Sequence, residues 1–104
     1  MNTQPQKLTE LADYTPQGIV SRTLVDKPAG TVSFFAFDTG QALSEHQAPF
    51  DALVQIIEGA ACVTIAGHDI NVAPGQIITM PANVPHALRA PQPFKMLLTM
   101  IKQS

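Results

Sequence analysis

Nine prolines and six glycines in 104 residues limit this chain more than any other feature, because neither residue sits inside a long helix or a central strand without cost. Beyond residue 18, Gly30, Gly40, Gly59, Gly67, Pro74 with Gly75, Pro81, Pro85, Pro91 and Pro93 cut the sequence into short pieces. Between them lie "TVSFFAF", "ALVQII", "ACVTIA", "HDINV", "QIITM", "HALRA" and "FKMLLTMI". Several are rich in the β-branched and aromatic residues that suit a pleated, half-buried surface. Turn signals recurring about every 8 to 12 residues point to an all-β sandwich or barrel. Only "QKLTELADY" carries an apolar period near that of a helix, and it reads as a short helix or a loose arm. "GHD" at 67 to 69 reads as a tight turn that leaves His68 in solvent, and "APGQ" at 73 to 76 as another, with Pro74 presetting φ and Gly75 taking the positive φ that follows.

The length fits one compact domain. Residues 1–18 read as an N-terminal arm and residues 19–104 as a single barrel domain. Six basic against eight acidic residues leave a net charge of -2, and no basic run is present to neutralise a row of phosphates, so nucleic acid is not an expected partner. Apolar runs fall far short of the roughly 18 to 20 residues of a membrane span, and the polar start has no signal-like apolar core. The chain reads as cytosolic. Cys62 is the single cysteine, which excludes an intrachain disulfide and a multi-cysteine zinc site, and it reads as a small buried side chain. In "ALVQII" and "MLLTMI" apolar residues occupy both parities, so both faces of those strands must be covered. A second subunit packed on the outside of one sheet would do this, and the expected assembly is a homodimer.

Two spaced patterns carry the chemistry. Gly40 is followed by five residues and His46, then Gln47, Ala48, three residues, Ala52, six residues and Gly59. Gly75 is followed by Pro81, Asn83, His86 and Ala90 within "PGQIITMPANVPH" and its continuation. These patterns, spanning residues 40 to 90, resemble the two motifs of the small single-domain cupins. The resemblance implies a double-stranded β-helix, or jelly-roll, barrel. In that family the first motif runs Gly, His, His, Glu, Gly, and the second Gly, Pro, Gly, His, Asn. Here the second histidine and the glutamate of the first motif are replaced by Ala48 and Ala52, and in the second motif Asn83 and Ala90 stand where Gly and Asn are usual.

The resemblance assigns His46, Ala48, Ala52, Val54, His86 and Leu88 to an inward-facing pocket, since residues two apart on a strand share a face. Arg89 then points outward. Of the usual metal ligands only His46 and His86 remain, and two imidazoles hold a divalent transition metal weakly. Asp51 and Glu45 have the wrong parity and would need a bulge to join them. Losing an imidazole and a carboxylate leaves a space, to be filled by Phe50, Met80 and Met96 or kept open for a ligand. Three functional readings stand at this point: a small-molecule-binding cupin without a tightly held metal; a cupin enzyme, either a metal-dependent oxygenase or isomerase or a metal-free epimerase-like acid–base catalyst; and a regulatory or structural module. Tyr14 and the arm are read as candidates to cross to a second subunit.

Overall fold

The structure is a computed structural model that describes residues 3–102; the outermost residues of the arm and barrel assignments lie outside the described residues. A single 3-10 turn, Leu8–Glu10, precedes nine strands: β1 (Ile19–Lys27), β2 (Gly30–Phe37), β3 (Ala42–His46), β4 (Asp51–Glu58), β5 (Ala61–Ile65), β6 (His68–Val72), β7 (Ile77–Met80), β8 (His86–Arg89) and β9 (Phe94–Ile101). They form a five-stranded sheet in the order β1-β2-β9-β4-β7 and a four-stranded sheet in the order β3-β8-β5-β6. Every pairing is antiparallel. The molecule is a jelly-roll barrel of two facing sheets.

Turn chemistry sets the connections. At the β5–β6 hairpin Ala66 (φ 51) and Gly67 (φ 82) both take positive φ, the arrangement whose twist matches that of the flanking strands. The turn is thus centred one residue before the "GHD" expected from sequence, and His68 opens β6, exposed. At 73 to 76 the Gln76 N–H donates to the Ala73 carbonyl at 3.0 Å, and Gly75 has φ 82 behind Pro74, as the sequence predicts.

Alternation divides the strands between two faces. Inward, Phe37, Val54, Ile56, Val63, Phe94 and Met96 are fully buried, and Phe37 stacks on Phe94 with ring centroids 4.5 Å apart. These aromatic rings close one end of the barrel. The outer face of the five-stranded sheet is covered in part by the chain's own arm. Phe34 and Ala36, which point outward because Phe35 and Phe37 point in, are completely buried, and Leu11 of the arm is buried with them. Arg22 donates to the Leu11 carbonyl at 3.2 Å, and the Tyr14 hydroxyl donates to the Glu58 carboxylate at 2.7 Å. The buried Lys95 ammonium donates to the Thr9 carbonyl, lies 3.9 Å from Glu58 and sits 5.1 Å from the centre of the Tyr14 ring. A buried ammonium needs such partners. The described part of the arm therefore packs on its own barrel, where the sequence had offered a crossing to a second subunit.

Gly59 ends β4 with φ +70, and a Cβ there would lie 2.0 Å from the Pro93 carbonyl oxygen. Gly67 has φ +82 but open space around it. Gly59→Ala should cost at least about 3 kcal/mol, from strain and overlap together, while Gly67→Ala should cost about 1 kcal/mol from backbone conformation alone. Urea denaturation of the two variants checks this order.

Candidate functional site

The open end of the barrel is built by β3 and β8, which pair side by side. Leu43 is paired with Leu88 and His46 with His86, with a register shift between them. Three residue steps on β3 match two on β8, so β3 carries one extra residue, a bulge. Simple alternation would turn Leu43 and His46 to opposite faces; the bulge turns both inward. The loop carrying His86 is then fixed from two sides. The Asn83 N–H donates to the Ala48 carbonyl at 2.7 Å, and the Ala66 N–H donates to the Pro85 carbonyl at 2.9 Å. Asn83 adopts φ 63 to make this turn, a conformation that asparagine tolerates better than most residues.

The two imidazoles meet here. Their Nε2 atoms are 3.1 Å apart, and the rings stand edge to face with centroids 4.3 Å apart. Nδ1 of His46 lies 2.9 Å from the Ser44 carbonyl oxygen, and Nδ1 of His86 lies 3.2 Å from that of Val84. A carbonyl oxygen only accepts, so each Nδ1 bears its proton and each Nε2 of a neutral ring is left with a bare lone pair. Two lone pairs facing each other repel. The contact becomes a hydrogen bond when one ring takes a second proton, and the repulsion is also relieved when a donor at the cavity binds one of the lone pairs.

Burial weighs against a charge on His86. His86 is 6% exposed whereas His46 stands at the mouth. Desolvation holds the His86 imidazole below its ordinary value of 6.5, with the charge of His46 adding to this and the Val84 carbonyl opposing it. Of the two rings, the buried His86 is thus the harder to charge. No carboxylate pairs with either ring among the described residues.

Beneath the pair lies a cavity of about 50 Å³, room for a few waters or a small organic group. His46, Ala48, Ala52, His86 and Leu88 line it. Val54, expected beside them, is a correction: it faces inward but is fully buried in the core and is not part of the cavity wall. Alternation along a strand gives the face, and depth is set by the side chains stacked above. Phe50, Met80 and Met96 contribute wall as expected for the space left by the alanines, and Leu43, Leu98 and Met100 complete it. Sequence reasoning did not single out these last three. The parity of "MLLTMI" placed Leu98 and Met100 with Met96, and for Leu43 no signal exists without the bulge.

Neither neighbouring acid is part of the cavity wall. Asp51 is exposed and accepts the Ala82 N–H at 2.8 Å, and Glu45 is exposed on β3. Arg89 is exposed and lies 3.4 Å from Asp69. Cys62 is buried. Among the described residues no three His, Cys, Asp or Glu side chains come together. Two imidazoles and the methyl groups of Ala48 and Ala52 do not fit a resident four-coordinate transition metal.

Residues 33–101 match the model of the cupin domain, and the chain belongs to this family. A conserved protein of unknown function from Streptococcus pyogenes is 38% identical, with a TM-score of 0.95 over 100% of this chain and 91% of its own. A cupin superfamily protein from Desulfitobacterium hafniense is 27% identical, with a TM-score of 0.91 over 97% of this chain and 93% of its own. A cupin 2 conserved barrel domain protein from Leptotrichia buccalis is 37% identical over 90% of this chain and 46% of its own length, with a TM-score of 0.88. No curated protein matches. Among the described residues no helix is long and apolar enough to cross a membrane.

Because the folded chain keeps His86 below 6.5, the neutral ring stabilises the fold. That contribution is complete above the ordinary value and is lost as pH falls through the lowered one. Thermal unfolding followed downward from pH 6.5 should therefore show a steeper loss of stability in the native chain than in His86→Leu. Equal slopes would remove His86 from the account.

Proposed function

We propose that this cupin domain binds a small organic molecule, with an apolar body against the methionine-lined wall and a hydrogen-bond donor at the His46–His86 pair. The observation that supports this most directly is the pair of Nε2 atoms 3.1 Å apart with both Nδ1 atoms committed to backbone carbonyls. A ligand hydroxyl donates to one of these nitrogens, and an amine has hydrogens for both, which relieves the repulsion between two neutral rings. The apolar wall supplies affinity and the histidines orientation, the usual division of labour in small-molecule pockets.

The same two nitrogens would hold a divalent transition metal only weakly, with water at most of its positions. An epimerase-like acid–base role calls for a carboxylate beside an imidazole, and Asp51, the nearest candidate in sequence, is bound to the Ala82 N–H instead. Nothing in the fold favours a purely regulatory role. For assembly we propose a homodimer through the outer face of the five-stranded sheet, where Ile77 and Ile101 are exposed and Leu53 and Leu97 half-buried. Light scattering on the eluted protein should give twice the 11.1 kDa chain mass, and Ile77→Lys should halve it.

Binding is tested by thermal shift against a set of small alcohols, phenols and amines. A ligand present at about 100 times its dissociation constant should stabilise the native chain by about 2.7 kcal/mol. His46→Ala, which alters an exposed ring at the mouth, should weaken that ligand about tenfold or more. An identical response in His46→Ala, or a stoichiometric transition metal in protein purified without chelator, would overturn the proposal.

A further inference from the structure

Among the described residues one buried side-chain polar atom lacks a hydrogen-bond partner: Oγ1 of Thr31, in a residue 8% exposed. A buried hydroxyl normally finds a partner, and one left alone weakens the empty fold. Its position suggests what it is for. Thr31 is paired with Met100 across β2 and β9, and Met100 with Ala52 across β9 and β4, so all three point to the same face of the sheet. That face is the barrel interior, where Met100 and Ala52 line the cavity.

The connection between the sheets brings His46 to the same end. β2 runs from Gly30 to Phe37, the chain turns, and β3 runs from Ala42 to His46. The first residues of β2 and the last of β3 thus come to one end of the barrel, on sheets about 10 Å apart. Met100 is the residue that stands between Thr31 and the cavity. It is only half-buried, and its unbranched thioether changes rotamer with little strain.

We propose that the Thr31 hydroxyl is a second polar contact of the cavity, uncovered when Met100 turns aside, so that the ligand carries polar groups at both ends of a short apolar chain. This rests on the small-molecule reading of the His46–His86 pair and adds the far end of the ligand to it. Thr31 lies two strand spacings, roughly 9 to 10 Å, from Ala52 of the cavity wall across β2, β9 and β4, a span that suits a chain of roughly four to six carbons.

The test uses linear diols of that length and the matching mono-alcohols, with affinity followed by the NMR shifts of the two imidazoles and the methionine methyls. The native chain should bind a diol about fivefold more tightly than its mono-alcohol, the worth of one ordinary hydrogen bond, beyond the twofold gain from having two equivalent ends. Thr31→Val should erase this preference and Thr31→Ser should keep it, and without ligand Thr31→Val should be at least as stable to urea as the native chain. An unchanged preference in Thr31→Val, a native chain that binds diols and mono-alcohols alike, or a clear loss of stability in Thr31→Val would overturn the assignment of Thr31 while leaving the histidine reading intact. Imidazole shifts that respond to none of the alcohols would overturn both.

Discussion

One extra residue in β3 governs the site. Without the bulge between Leu43 and His46, His46 would follow strand alternation to the outer surface, and His86 would face an empty cavity mouth. With it, an aliphatic wall residue and an imidazole three positions apart both turn inward, and the second imidazole meets the first across a paired ladder. The backbone hydrogen bonds of the β3–β8 pair hold this arrangement, and the contacts of Asn83 with Ala48 and of Ala66 with Pro85 keep the neighbouring loop from relaxing it. The chemistry at the mouth is therefore a consequence of main-chain register.

The interior below shows how a barrel adjusts when polar groups give way to methyl groups. Ala48 and Ala52 remove bulk from the wall, and Met80, Met96 and Met100 take up much of it. Thioether side chains follow irregular contours without a fixed shape, so the space is partly closed and partly retained. The opposite end is held by stacked Phe37 and Phe94, which do not yield in this way. The molecule thus has one stiff end and one adaptable end, and the polar atoms of the cavity belong to the adaptable one.

Much of this was legible in the sequence, and the remainder was hidden for identifiable reasons. Pro and Gly punctuation located seven of the strand segments and the all-β class. β1 escaped because Ser21, Arg22 and Thr23 put polar groups on both faces of an edge strand, and β3 because "ALSEH" is short and mostly polar. Motif spacing placed His46 and His86 in one cavity, yet parity alone gave no depth for Val54 and no hint of the bulge. A bulge is a relation between two strands, so it has no signature in either one. The unpaired hydroxyl of Thr31 is equally silent: "GTVSFFAF" reads as an ordinary strand, and only the register with Met100 shows what surrounds it. The arm's attachment through Lys95 was masked because a lysine in a strand usually marks solvent.

Both imidazoles take their orientation from carbonyl oxygens of Ser44 and Val84. Those acceptors belong to the main chain and are the same whatever side chain sits at either position. Substitutions at 44 and 84 can drift freely, as long as the peptide planes hold still, without changing which nitrogen of each ring looks into the barrel. The alignment of the two rings is in this sense inherited with the fold, and a descendant could exchange every residue around them and still present the same pair of lone pairs.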